Sequence, residues 1–468
     1  MWPQVRALLA LSEVRAGSNK ALATLMAHIV QNPCEWLASV VQRNRAGQPV
    51  GTYSVCSANS WVLEASMRQA LEQDSFLCIE STSNQVNQFG GYTGLTPAQF
   101  VEFVHSIANR TGFSLNRILL GSDHLGPYPW RNETVESAVG KACELVRSAV
   151  MAGYNKIHLD ASMACGDDAP NQPLADAVIA QRAAAICQVA EKTHEQLRDG
   201  SPAPVYIIGT EVPIPGGEQE PGQPPAVTRV QDAQATLKSF HATFIERGLG
   251  SAWERVVGLV VQPGVEFGDS SVFEYDRQKA KSLSQCLPES PALVYEAHST
   301  DYQQPAKLRE MVEDHFAILK VGPWLTFAFR EAVFALSLIE REWLAKRRDI
   351  TLSQAPETLE HAMLHNPVHW KPYYHGDQQE LSFARRYSFS DRCRYYWPDE
   401  AVQRELKRLV GNLSDCPPPL TLLSQYLPEE YDGVRSGRIS SHPVSLIDEK
   451  IRKVVRIYAA ACGACNHQ

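Results

Sequence analysis

In this 468-residue chain, polar side chains gather just past the ends of short apolar runs. Their types suit metal-assisted acid–base chemistry. The groups are Ser54, Cys56, Ser57 and Asn59; Glu80 to Gln85, which includes Asn84; Ser122, Asp123 and His124; His158, Asp160 and Ser162; Thr210 and Glu211; Gln262; Glu296, His298 and Asp301; and Lys320. Histidines and carboxylates converging on one mouth would hold a divalent cation such as Zn²⁺ or Mn²⁺. That ion would polarise a carbonyl or enediolate oxygen, while the lysine or a carboxylate handles protons. The plainer alternative is that strand-end carboxylates bond loop amides and cap the following helix. Within Lys156-Ile-His-Leu-Asp160, alternation puts His158 and Asp160 on one face. That face is the interior if Ile157 and Leu159 meet the helices. His158, in mid-strand, reads as a hydrogen-bonded core residue rather than a ligand.

The elements that must position these groups repeat between about residue 48 and residue 345. Strand candidates are Val50–Val55, Phe76–Glu80, Arg117–Gly121, Lys156–Leu159, Val205–Gly209, Val256–Val261, Leu293–Glu296 and Ala317–Val321. Amphipathic stretches separate them: Ala98–Ala108 behind Thr96-Pro97, Glu133–Ala152, Ala175–Leu197, Val230–Arg247, Ala306–Glu313 and Phe327–Leu344. Alternation of this kind implies right-handed βαβ units, and eight strands close a (β/α)8 TIM barrel. An open doubly wound sheet is the rival arrangement. We therefore expect three segments: an N-terminal helical segment, 1–45, capping the barrel floor; the barrel itself, 46–345; and a mostly helical C-terminal extension, 346–468, packed on it.

Composition removes several classes of function. Lys and Arg number 44 against 52 Asp and Glu, a formal charge of −8, so the basic footprint of a nucleic-acid binder is missing. The longest valine-rich run, Val256–Val261, is far shorter than a membrane span needs. The first residues reach Glu13 and Arg15 too soon for a secretory signal. The 11 cysteines are scattered rather than framed as disulfides, which suits reduced thiols in a cytoplasm. Cys462, Cys465 and His467 sit at the tail with no second half of a metal site. No G-x-x-x-x-G-K-[ST] loop supports a nucleotide kinase, and no G-x-S-x-G elbow supports a serine hydrolase.

Longer motifs are more specific: ESTSNQVNQFGGYTGLTP at 80–97, GSDHLGP at 121–127, KIHLDASM at 156–163, IGTEVPIPGGE at 208–218 and VVQPGVEF at 260–267. They continue with YEAHSTDYQ at 295–303, FAILKVGPWLTFAFREA at 316–332, RYYWPD at 394–399 and SQYLP at 424–428. Together they closely resemble the GatZ/KbaZ family from about residue 36 to about residue 462. The resemblance implies a barrel of class II aldolase type, in galactitol or N-acetylgalactosamine catabolism by way of D-tagatose 6-phosphate. It also implies a non-catalytic subunit that gives stability and full activity to a separate catalytic D-tagatose-1,6-bisphosphate aldolase chain, with a homo-oligomer as a further expectation. Some relatives look like catalysts that interconvert D-tagatose 6-phosphate and D-fructose 6-phosphate by epimerising C4.

Laid beside the aldolase pattern, Asp123-His124 falls where such enzymes carry a catalytic Asp and a zinc-binding His. Glu211 and His298 fall near two further metal positions. Gln262 replaces a histidine ligand, and His298-Ser-Thr-Asp301 replaces a glycine-glycine-serine phosphate loop. Those departures fit a non-catalytic subunit. For the epimerase alternative, a retro-aldol reaction on a phosphorylated ketohexose, the expected site has three parts. The metal set is His124, Glu211 and His298. The acid–base groups are Asp123, Lys320, Glu80 and Asp160, and the substrate contacts are Ser57, Asn84, Gln85, Gln262 and Asp301.

Overall fold

Eight short strands, apolar on the side that meets the helices, close on themselves. They are β1 (Thr52–Cys56), β2 (Leu77–Thr82), β3 (Ile118–Leu125), β4 (Lys156–Leu159), β5 (Val205–Ile208), β6 (Val256–Val261), then β9 (Val294–Ala297) and β10 (Phe316–Val321). All neighbours are parallel, and β10 returns to pair with β1, Thr52 opposite Ile318. The computed structural model describes residues 32–169, 172–197, 200–210, 224–288 and 292–463. The two remaining strands, β7 (Glu266–Phe267) and β8 (Val272–Phe273), form a small antiparallel ribbon in the loop after β6. The closed (β/α)8 barrel excludes the open doubly wound sheet.

Local chemistry explains where the helices begin. The helix after β2, Pro97–Thr111, starts with a capping box in which Thr96 accepts from the Gln99 amide and Gln99 reaches back. The helix after β3, Val135–Met151, is capped by Thr134, and the one after β6, Arg277–Ser284, by Asp276. Strand β3 runs four residues past the expected Gly121. The polar Ser122-Asp123-His124 interrupts the apolar run, but pairing with β2 continues to Asp123, opposite Thr82. Register against β4 shifts between Ser122 and Leu125, where His124 adopts φ +48°. A left-handed histidine is uncommon and marks a position held by its surroundings.

The barrel interior has two unlike halves. At the floor, helix α1 (Pro33–Arg45) sends Cys34, Leu37 and Val41 against Cys78, Leu119, Val205, Ile207, Val257, Val294 and Ile318. Asn44 of α1 ties the floor down by donating to Val50 O at 2.8 Å and Val312 O at 2.9 Å. Above this layer the inward side chains are ionic.

The chain after the barrel's last helix (Pro323–Leu344) adds six more helices, and the final one is part of the ring itself. Pro443–Ala461 lies against the helices that follow β1, β9 and β10. Its Tyr458 hydroxyl donates to Thr300 O at 2.7 Å, beside the site described next. No described helix is long and apolar enough to cross a membrane. All described cysteines are unpaired.

Candidate functional site

The ionic half of the barrel is built on one buried lysine. Lys156 opens β4 on the face that alternation shares with His158 and Asp160. Its Nζ lies 2.7 Å from Glu80 Oε1 on β2 and 2.6 Å from Glu296 Oε2 on β9, and none of the three side chains reaches solvent. Gly121 of β3 makes the room: a Cβ there would come within 2.6 Å of Glu80 Oε1. One layer higher, Lys320 of β10 contacts the other Glu80 oxygen, Asp123 Oδ1 at 3.0 Å and Glu296 Oε1 at 3.5 Å. Burial opposes charge in Lys156, Lys320, Asp123 and Glu296, but the surrounding opposite charges prevail. Lys156 and Lys320 are held above the usual lysine range, and Asp123 and Glu296 well below the usual carboxylate range.

Three imidazoles sit on this ionic layer. His124, His158 and His298 lie with ring centroids 4.9 to 5.3 Å apart. His124 Nδ1 meets Asp160 Oδ2 at 2.9 Å, and Asp160 Oδ1 accepts in turn from the Ser162 amide and hydroxyl. Burial works against charging His124, yet Asp123 and Asp160 raise it above its ordinary value. His298 behaves in the opposite way. Burial lowers it to about 4 although its Nε2 lies 3.0 Å from Glu296 Oε1, so its ring is neutral near pH 7. His158 Nδ1 lies 3.1 Å from Asp123 Oδ1 and 3.2 Å from the His124 amide. The His124 amide donates to Nδ1, so both groups claim that one nitrogen and neither reaches the ring's other nitrogen, Nε2. That Nε2 is buried and has no hydrogen-bond partner.

These atoms fit a divalent metal. Asp123, His158, Glu296 and His298 each offer one donor atom, all within 4.8 Å of one another. Two imidazoles and two carboxylates suit such an ion, and the partnerless His158 nitrogen is a ligand position that the protein itself leaves unsatisfied. His158, expected from its strand position to be a core residue, is therefore part of this constellation. His124 is engaged with Asp160 beside it, and Glu211 lies outside the described residues.

A small cavity of about 90 Å³ opens above the cluster. Asp123, His124, His298 and Lys320 form its floor, and Asn84, Gln85 and Asp301 stand in its wall. Glu80 lies beneath as the counter-ion of both lysines, and Asp160 orients His124 from behind. Ser57 and Gln262 are turned elsewhere. Ser57 Oγ accepts from the Asn59 amide, and Gln262 Oε1 accepts from the amides of Gly264 and Val265. Asp301 accepts from the Gly322 and Trp324 amides at the start of the last barrel helix, while burial pushes its carboxyl up to about 6. The sequence reading gave no role to Lys156, although strand parity with His158 carries the signal. It also gave none to Arg394 and Tyr395, which enter the cavity wall from 50 residues past the barrel.

Comparison with known proteins follows the same boundaries. The family model described as "D-tagatose-1,6-bisphosphate aldolase subunit GatZ/KbaZ-like" matches residues 37–463. The chain is 46% identical over 432 residues to a D-tagatose-1,6-bisphosphate aldolase subunit GatZ of Escherichia coli O1:K1 / APEC, covering 91% of this chain and 100% of that one. A GatZ of Escherichia coli O6:K15:H31 (strain 536 / UPEC) gives the same identity and coverage. Among solved structures, a probable tagatose 6 phosphate kinase from Sinorhizobium meliloti 1021 superposes with a TM-score of 0.80. It shares 43% identity over 88% of this chain and 100% of that chain.

Proposed function

The chain belongs to the GatZ/KbaZ-like family, and from that membership we propose that it is the non-catalytic subunit of a class II D-tagatose-1,6-bisphosphate aldolase. In this reading it works in the cytoplasm beside a separate catalytic chain, in the breakdown of galactitol or N-acetylgalactosamine through D-tagatose 6-phosphate. The carrying observation is 46% identity that extends over the whole length of relatives bearing that name. Two features of the site agree with a helper role. The carboxylates of Glu296 and Asp123 are already matched by Lys156 and Lys320. The turn after β9 presents Asp301 to backbone amides instead of presenting amides to a phosphate. Mixing the purified chain with a class II tagatose-bisphosphate aldolase tests the proposal. A clear rise in the aldolase's activity or lifetime, with co-elution, is expected. Absence of both overturns it.

One observation favours a second reading, a metal-dependent D-tagatose 6-phosphate 4-epimerase: the partnerless, buried His158 Nε2 under a polar cavity. A divalent ion, Zn²⁺ or Mn²⁺, held by His158, Glu296 and His298, would supply Lewis acidity for an enediolate and leave Asp123 free for the proton. The chain's own groups do the remaining work. The two ketose phosphates differ at C4. As C3–C4 breaks, its electron pair stays with the three-carbon enediolate, and the O4 proton passes to the Asp123–Lys320 pair. The freed aldehyde turns its other face, C3 re-adds, and the proton returns to O4. Lys320 stays charged beside the developing negative charge, and the Asp160–His124 pair keeps an imidazole on the same floor. Incubating the metal-stripped chain with Zn²⁺ or Mn²⁺ and D-tagatose 6-phosphate decides between the readings. Metal-dependent formation of D-fructose 6-phosphate, abolished by His124→Ala, makes the chain an enzyme. No conversion leaves the helper role.

A further inference from the structure

Two cations line the cavity, and their circumstances differ. Lys320 on the floor is shared among three carboxylates. Arg394 on the rim has none: among the described residues no carboxylate forms an ion pair with it. Its Nη1 donates to the carbonyls of Ser390 and Asp391, and its Nη2 donates to the Tyr395 hydroxyl at 2.9 Å. The Asp391 carboxylate is committed elsewhere, to the Thr326 hydroxyl at 2.5 Å and to Arg330 at 3.8 Å. The Asp391 and Asp301 carboxylates act on the half-buried guanidinium without pairing with it, so an anion that does pair completes the site.

The guanidinium is also held in place before any ligand arrives. Arg394 lies over the Tyr395 ring with its central carbon 4.5 Å from the centroid. Tyr395 is stacked on His369 at 4.8 Å and meets the Tyr92 ring edge-on at 4.6 Å. Arg394 and Tyr395 sit in a short helical turn, Arg392–Tyr395, that begins at Asp391 with φ +47°. The first free amides of the barrel's last helix, those of Gly322 and Trp324, are already taken by Asp301.

We propose that Arg394 is the anchor for the phosphate monoester of the cavity's ligand, delivered to the barrel mouth by the chain that follows the barrel. A guanidinium presents a planar fork of donors matched to phosphate oxygens, which an ammonium does not. The proposal takes from the preceding section only that the ligand is a phosphorylated ketohexose. It gives the RYYWPD motif at 394–399 a chemical role: the arginine binds, and the tyrosine next to it keeps the guanidinium facing the cavity.

Calorimetric titration of the full chain with D-tagatose 6-phosphate, unphosphorylated D-tagatose and inorganic phosphate tests this. A charge-assisted contact of this kind corresponds to about 10- to 150-fold in affinity. Arg394→Gln should therefore weaken D-tagatose 6-phosphate by that factor and leave D-tagatose itself unchanged. Arg394→Lys, which keeps the charge and guards against a folding defect, should recover only part of the loss. Melting curves matching the parent's establish that each variant is folded. If the parent binds D-tagatose 6-phosphate and both variants bind it within threefold as well, the anchor is wrong and the ligand assignment stands. If the parent ignores the sugar phosphate but binds inorganic phosphate in an Arg394-dependent way, the anchor stands and the ligand assignment fails. Binding of neither by the parent overturns the proposal.

Discussion

Lys156→Met should be the most damaging single change in the barrel interior, and charge rather than packing should be the reason. The lysine is fully buried, with Nζ 2.7 Å from Glu80 and 2.6 Å from Glu296. Methionine fills nearly the same space but leaves two buried carboxylates to share Lys320, which already serves Asp123. Breaking a buried ion pair from one side costs about 3–5 kcal/mol. For a chain of 468 residues the unfolding entropy is on the order of 1 kcal/mol per kelvin, so the melting point should drop by roughly 3–5 °C. Urea unfolding followed by tryptophan fluorescence is the suitable assay, because urea does not screen charge. The pH dependence separates the causes. In the variant one carboxyl is pushed above its unfolded pKa of about 4.3, so its contribution is retained at low pH and lost as pH rises through the folded value. The deficit should therefore be largest near pH 7 and shrink towards pH 5. A loss below about 1 kcal/mol, or one equal at both pH values, would refute the electrostatic account.

Three other outcomes can be measured on the same material. Gly121→Ala drives a Cβ to 2.6 Å from Glu80 Oε1, a group pinned by two lysines, and should destabilise the fold by about 1–3 kcal/mol; an unchanged urea midpoint would mean that Glu80 moves freely. His158→Gln should lower divalent-metal affinity at least about tenfold without unfolding the chain, whereas an unchanged metal content after dialysis would remove His158 from the ligand set. Burial pushes the Asp391 carboxyl up to about 6 despite Arg330, so the parent should lose about 3 kcal/mol of stability as pH rises from about 4 to 6. Asp391→Asn, which tolerates the left-handed backbone, should flatten that slope, and parallel slopes would count against the buried-acid assignment.

How much of this was written in the chain order differs from element to element. Each of the eight barrel strands falls on an apolar run visible in the sequence, because strand formation and burial of Val, Ile and Leu are local and periodic. Asp123, His124, His298 and Lys320 could be placed at one mouth for the same reason: in a parallel barrel every strand ends on the same side. Parity within Lys156–Asp160 correctly put His158 and Asp160 inward, and the same alternation applied one step earlier would have found Lys156. What parity could not supply was a partner. Whether an inward lysine is a misplaced charge or the centre of an ion cluster depends on Glu80 and Glu296, respectively 76 and 140 residues away in sequence.

The left-handed turn at His124 and the orphaned nitrogen of His158 were also beyond the sequence. They follow from a register shift between two strands and from two groups engaging one nitrogen of the same imidazole. Arg394 is the clearest case, since nothing in RYYWPD says that it reaches a cavity formed by β2, β3, β9 and β10. Periodicity and alternation report which face of an element is buried, and these alone were enough to determine the barrel and its polar mouth. Pairing, tautomer and the rim contributed by the later helices are set by distances between residues far apart in the chain, and those distances exist only once the barrel has closed.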